Sequence, residues 1–208
     1  MKNLFVVENP LVQRDITILR NKDTKEPEFR SALSRIAYCL AMEISKNFKL
    51  DLVEIQTPLE KTLGHEINQQ IVLVPVLRAG LSFVNSFVEL IPEAKVGHIG
   101  IQRDEKTLMP VDYYYKTPKD LHLSKVIILD PMLATGGSAS AAIRFLKERG
   151  AKDIILSCLI AAPEGINKIQ VDHNDVKIYV AKIDRELNSN GYILPGLGDA
   201  GDRTFGTF

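Results

Sequence analysis

Nine residues, Asp130-Pro-Met-Leu-Ala-Thr-Gly-Gly-Ser138, stand between the apolar run Val126–Leu129 and a helical stretch from about Ser138 to Arg149. A buried strand, a loop of small residues and a helix N-terminus together make a site for an anion. Backbone N–H groups converge there, glycines permit close approach, and the helix dipole favours negative charge. Thr135 and Ser138 add hydroxyl donors suited to a phosphate. The loop has no Lys and misses the G-x-x-x-x-G-K-[ST] spacing, so it is not an ATP-binding P-loop. Asp130 closes the strand at the carboxyl edge of the sheet, where α/β proteins bind ligands. A carboxylate there repels phosphate, which leaves it sugar hydroxyls to accept or a metal to address. The bland alternative is a tight β-α turn with no ligand.

Two arginines stand at strand exits. Arg78 follows the run Ile71–Val76, and Arg103 follows Val96–Ile101. Guanidinium pairs bidentately with phosphate, so the pair reads as an oxyanion clamp beside the Asp130 loop. Near the C-terminus, Gly196-Leu-Gly-Asp-Ala-Gly201 has the spacing of a dinucleotide fingerprint. That fingerprint needs a following helix and an acid about 20 positions on. Seven residues follow Gly201, too few for either. What remains is a loop with exposed backbone donors and acceptors, suited to the edge of a planar heterocycle. His65, His98, His122 and His173 share no spacing and read as structural or exposed, while Cys39 and Cys158 read as small core residues.

These residues need a scaffold that brings strand exits together, and the pattern supplies one. Phe29, Leu33, Ile36, Leu40, Ile44 and Phe48 recur at three- and four-residue steps, which predicts a helix over Glu28–Phe48 with Pro27 in its first turn. Beyond it, the apolar runs Leu52–Ile55, Ile71–Val76, Val96–Ile101, Val126–Leu129, Ile154–Ile160 and Val176–Ile183 alternate with helical stretches at Leu81–Ile91 and from about Ser138. Strands separated by helices predict an α/β fold built on a mainly parallel sheet, flanked by helices on both faces. Two segments break the pattern. Residues 103–120 are polar, carry Tyr113-Tyr114-Tyr115, and predict a β-arm or lid whose tyrosines pack on the body or a second subunit, or stack on a base. The glycine-rich tail, about 188–208, predicts a structured loop.

The chain has 208 residues with no repeat or linker, so one domain, 1–208, is expected. Twenty-six basic side chains balance twenty-six acidic ones, which argues against nucleic acid as a partner. Two distant cysteines exclude a disulfide framework and offer no zinc spacing. Met1–Glu8 has too few apolar residues for a secretory signal, and no run approaches the ~18 of a membrane span. The expectation is a soluble cytoplasmic protein with no membrane partner.

The Asp130–Ser138 loop together with the tail Gly191-Tyr-Ile-Leu-Pro-Gly-Leu-Gly-Asp-Ala-Gly-Asp-Arg203 resembles the uracil phosphoribosyltransferases, within the type I phosphoribosyltransferase superfamily. Asn9-Pro-Leu-Val-Gln13, Leu77-Arg-Ala-Gly80, Arg103-Asp-Glu105 and Ala161-Ala-Pro-Glu-Gly165 match as well, so the resemblance spans the chain. It implies transfer of the 5-phosphoribosyl group from 5-phospho-α-D-ribose 1-diphosphate to N1 of uracil, giving UMP and diphosphate. It implies that Arg78, Arg103, Asp130, Pro131, Met132, Leu133, Ala134, Thr135, Gly136, Gly137, Ser138 and Asp199 bind the phosphoribosyl substrate. Uracil then falls to Ile193, Gly198, Asp199 and Ala200, largely through backbone atoms, with Asp130, Arg103 and Asp199 as catalytic candidates. Mg²⁺ is implied as cofactor, held mainly by substrate rather than by a ligand cluster. A GTP effector belongs to the same expectation, while apolar residues on the N-terminal helix and the tyrosine arm predict a homodimer or homotetramer. Two departures stand out. Asp130-Pro131 replaces the two adjacent acids of the wider superfamily, and Ser82-Phe-Val-Asn-Ser86 lacks the Gly- and Asp-containing pattern expected after the Arg-Ala-Gly turn, which bears on helix packing. The rival readings are an RNA-binding regulator on the same fold, which the neutral charge disfavours, and a transferase for another base, which the tail disfavours.

Overall fold

In the computed structural model, residues 3–103 and 110–207 are described, with the side chains at 102, 103 and 110–112 left aside. The chain opens with β1 (Leu4–Val6), α1 (Pro10–Arg20) and α2 (Glu26–Ser45). The Asn9 side chain accepts the Leu11 N–H at 2.8 Å, and Pro10 opens α1 where no N–H partner is needed. α2 buries Phe29, Leu33, Ile36, Leu40 and Ile44, the stripe that the helical period predicts. Next come β2 (Leu50–Gln56) with β3 (Lys61–Ile67), then β4 (Gln70–Pro75), α3 (Leu81–Leu90) and β5 (Lys95–Val96). β6 (His98–Arg103) pairs with β7 (Pro110–Lys116). The second half contains β8 (Ser124–Leu129), β9 (Met132–Leu133), α4 (Gly137–Glu148), β10 (Asp153–Ala161), α5 (Pro163–Asp172) and β11 (Lys177–Ile183). The tail forms β12 (Glu186–Leu187), β13 (Ile193–Leu194) and α6 (Ala200–Phe205).

The main sheet is parallel throughout, in the order β1-β11-β10-β8-β4-β5, with β9 beside β10. Its strands are apolar on both faces because both are covered. Ile71, Leu73, Ile127 and Leu129 pack toward α1, α2 and α3, while Val72, Val74, Val126 and Ile128 pack toward α4 and α5. The Ser82–Ser86 departure opens α3, where Phe83 is buried and the Ser86 hydroxyl meets that of Ser34 on α2 at 2.7 Å.

Three expectations need correction. Leu52–Ile55 is no strand of the parallel sheet: β2 pairs antiparallel with β3 in a separate hairpin, with Leu52 64% exposed. Its alternation with charged residues marks a ribbon open on both faces, which the apolar run alone concealed. The run Val96–Ile101 divides at Gly97 into the sheet edge and the arm strand β6. The tail, read as too short for a helix after Gly201, does form the six-residue α6. Asp199 makes this possible by accepting the Asp202 N–H at 2.9 Å, an N-cap that propensity summed over a long window does not register.

Candidate functional site

The carboxyl ends of β4 and β8 and the tail converge on one edge of the sheet. Asp130 leaves β8 with its N–H on the Ser157 carbonyl at 3.1 Å and its side chain 8% exposed. Its Oδ1 accepts the Met132 N–H at 3.3 Å, a long bond that compensates little of the cost of burial. Burial therefore pushes the Asp130 carboxyl up to about 6, against the weaker pull of that bond. Burial also pushes the neighbouring Cys158 thiol up, which keeps it inert.

After Asp130 the chain passes through β9 into the α4 N-terminus. Gly136 has φ +77°, and a Cβ there would lie 3.0 Å from the Gly165 carbonyl; a Cβ on Gly165 would lie 2.4 Å from that of Ala134. The loop therefore seats directly on the start of α5, which is the structural reason for glycine at both positions. The Thr135 hydroxyl faces the Gly137 N–H at 3.4 Å, and the first N–H groups of α4 have no partner inside the helix. Gly80 serves the same end in the turn after β4, since a Cβ there would lie 2.2 Å from the Leu129 carbonyl. A cavity of about 210 Å³ results, lined by Val76–Ala79, Asp130 and Met132–Ala139.

A second cavity, about 340 Å³, is lined by Asn190–Ile193 and Gly198–Gly201 together with Ala79, Met132 and Ala134. Those last three residues line the first cavity as well. An anion cradle and a pocket walled by glycine-rich backbone thus share one wall. Asp199 lines only the second cavity, at the α6 N-cap.

Arg78 lines the first cavity, but its guanidinium bonds Asp202 at 3.0 Å and Thr207 at 3.1 Å, 5.9 Å from the Phe205 ring. Asp202 is held below the usual carboxylate range by Thr207 and then Arg78. Arg103 is not equivalent to Arg78, contrary to the expectation of matched strand exits. It ends β6 in the antiparallel arm, which touches the main sheet through the Val76–Ile99 bridge, and its side chain lies outside those described, as does Asp104–Met109 of the arm. Tyr113 and Tyr114 are exposed, and Tyr115 lies under the Arg149 guanidinium at 4.1 Å. His173 is structural, its Nε2 3.0 Å from the Ser140 carbonyl. Among the described residues no cluster of three His, Cys, Asp or Glu side chains could cage a metal, and no helix is long and apolar enough to cross a membrane. Sequence reasoning does not single out Ala79 and Asn190–Tyr192, which line the second cavity, as contact residues; their sequence signals are the place of Ala79 between Arg78 and Gly80 and the place of Asn190–Tyr192 in the glycine-rich tail.

A sequence model of the family described as uracil phosphoribosyltransferase matches residues 6–207. The chain is 53% identical to the uracil phosphoribosyltransferase of Finegoldia magna over 208 residues, covering all of both. It is 51% identical to that of Salinibacter ruber, covering 100% of this chain and 99% of that protein. Among solved structures, the AQ2163 protein from Aquifex aeolicus superposes with a TM-score of 0.91 at 38% identity, covering 98% of each chain. A purine phosphoribosyltransferase from Pyrococcus horikoshii shares the fold, with a TM-score of 0.52 at 18% identity over 74% of this chain and 83% of that one.

Proposed function

The chain belongs to the uracil phosphoribosyltransferase family, and from that premise we infer that it transfers the 5-phosphoribosyl group of 5-phospho-α-D-ribose 1-diphosphate to N1 of uracil. The products are UMP and diphosphate, a salvage reaction for a free pyrimidine. The observation that carries the site assignment is the wall of Ala79, Met132 and Ala134 common to both cavities. It lets a sugar phosphate and a flat base meet at one carbon.

In this reading the 5′-phosphate sits on the Thr135–Ser138 amides and hydroxyls at the α4 N-terminus. Asp130 accepts the ribose hydroxyls, with Met132, Leu133 and Ala134 forming the floor. Pro131 lines neither cavity and instead anchors the turn through its carbonyl, which accepts from the Leu159 and Ile160 N–H groups. Arg78 exchanges Asp202 for the diphosphate, and Arg103 joins it from the arm. Uracil lies against Ile193, Gly198, Asp199 and Ala200, whose fixed N–H and C=O groups match O2, N3 and O4 and leave the amino group of cytosine unpaired. The attacking base and the leaving diphosphate are both substrates, so the chain needs no nucleophile of its own. Its contribution is alignment, which can supply roughly 7–11 kcal/mol, and charge stabilisation by the arginines. Asp199 or a water is the proposed acceptor of the N1 proton, and Asp199→Asn separates the two.

The residues present fit Mg²⁺. The ion would be held mainly by oxygens of the phosphoribosyl substrate. Asp130, a nearly buried carboxylate at the cavity wall whose one side-chain hydrogen bond among the described residues is long, would hold the ribose hydroxyls beside it. Bound with the substrate, the ion would supply Lewis-acid stabilisation of the diphosphate. Residues 1–208 act as one cytoplasmic domain that assembles as a homodimer or homotetramer, supported by the exposed Leu52, Leu59 and Leu63 of the β2–β3 hairpin. Light scattering after size exclusion tests the assembly, and adding GTP to the activity assay tests it as effector.

The decisive experiment offers uracil, cytosine, hypoxanthine, adenine and orotate separately, with Mg²⁺ and the phosphoribosyl substrate. UMP from uracil alone is the expected result. A nucleotide from another base refutes the reading of the tail, and no product at all refutes the activity.

A further inference from the structure

Behind the glycine-rich wall, three charged side chains hold the loop without lining its cavity. Asp184 follows β11, is 6% exposed, and has its own N–H on the Ala161 carbonyl at 2.8 Å. Its Oδ2 accepts the Gly196 N–H at 2.9 Å. Arg20, at the end of α1, pairs with both Asp184 oxygens and also donates to the Gly196 carbonyl at 3.3 Å. One ion pair thus grips the donor and the acceptor of Gly196, where φ is +61° and a Cβ would lie 2.1 Å from the Ile193 carbonyl.

One residue further on, the Leu197 carbonyl accepts from Arg203 at 2.9 Å. The same guanidinium donates to the carbonyls of Leu19 and, at 2.8 Å, Asn21, and lies 4.5 Å from the Phe29 ring centroid. Arg203 is 9% exposed, and its hydrogen bonds among the described residues go to carbonyl oxygens. Burying a cation is costly, and the acceptor end of α1 offsets that cost. The arrangement fastens the loop to the C-terminus of α1 from the side opposite the pocket.

We propose that Arg203, supported by the Arg20–Asp184 pair, is a positioning residue that sets the backbone of Gly198, Asp199 and Ala200 to read the edge of the base. The proposal rests on the reading that this loop takes uracil. Base choice by backbone groups depends on holding them within fractions of an ångström, and the grip from behind supplies that hold alongside the Asp199 cap of α6.

Steady-state kinetics of the full chain test it, with Arg203→Lys, Arg203→Met and Asp184→Asn. Lys keeps the charge but cannot span three carbonyls. The KM for uracil rises about ten- to hundredfold in Arg203→Met, as for loss of a hydrogen bond to a charged group, and less in Arg203→Lys. The KM for the phosphoribosyl substrate stays within about twofold, and the preference for uracil over cytosine narrows about tenfold. If Arg203→Met does not fold, Arg203→Lys and Asp184→Asn carry the same comparison. An unchanged KM for uracil, or an equal rise in both KM values, overturns the proposal. Wild-type protein that makes no UMP overturns the functional reading instead. In that event amide hydrogen exchange at Gly198–Ala200 decides on Arg203: faster exchange in Arg203→Lys supports its grip on the loop, and unchanged exchange overturns it.

Discussion

Replacing Asp130 by Asn should stabilise the protein near neutrality while disabling it, and the size of the effect follows from burial. The fold raises this carboxyl from the ordinary 3.8 to about 6, because only the long Met132 N–H bond offsets the loss of water. The protonated form is therefore the one the fold favours. Below about pH 4 the group is protonated in both folded and unfolded chains, and its contribution to stability is fully present. As pH rises toward 6 the unfolded chain releases the proton first, and stability is lost until the folded carboxyl also ionises. At 1.36 kcal/mol per tenfold change in proton affinity, the loss amounts to about 3 kcal/mol across that window. Asp130→Asn lacks it. Urea denaturation of both proteins from pH 4 to 7.5, at fixed protein concentration, should show the variant gaining about 3 kcal/mol on the wild type as pH rises. Affinity for the phosphoribosyl substrate, whose hydroxyls require the ionised carboxylate, should run oppositely and weaken below about pH 6. A stability difference that stays flat with pH, or that grows toward acid, would refute the account of Asp130 as a carboxylate held in an unfavourable place for its function.

Gly136→Ala should destabilise by about 2 kcal/mol and raise the KM for the phosphoribosyl substrate about tenfold, since a left-handed residue acquires a Cβ against the Gly165 carbonyl; unaltered denaturation midpoint and KM would refute the close seating of the loop on α5. Asp199→Asn keeps the α6 cap, because Asn caps as well as Asp, so a fall of about tenfold or more in kcat reports the carboxylate itself. Unchanged kcat would remove Asp199 as the proton acceptor. Arg35→Met strips two bonds, at 2.8 and 2.9 Å, from the buried Asp15. Although burial opposes them, the Arg35 and Arg14 bonds hold Asp15 below the usual carboxylate range. The substitution should therefore cost about 1–2 kcal/mol at pH 7, reduced by the exposure of Arg35, with the gap closing as pH falls through the carboxylate range. A gap that persists in acid would assign the loss to packing of the Arg35 stem.

The α/β layout, the stripe of α2, the turn from β8 through Asp130–Ser138 into a helix and the structured glycine-rich tail were legible because each is written in neighbouring residues. Helical period, a strand running into small residues and glycines, and Pro at a first turn are local signals with local causes. The hairpin at Leu50–Ile67 was not legible as such, since an apolar run does not say whether its faces are covered or open. Nor was α6, which depends on one capping side chain rather than on a period. The sequence by itself determined which chemical groups are present and that they fall at strand exits. Only the tertiary structure decided that Ala79, Met132 and Ala134 serve two cavities at once. It alone decided that Arg78 pairs with Asp202, that Arg20 reaches Asp184, and that Arg203 reaches the end of α1, the last two each across more than 160 residues of chain. Such contacts arise when parallel strands distant in sequence become neighbours and place their carboxyl ends at one edge, and no local pattern encodes that convergence.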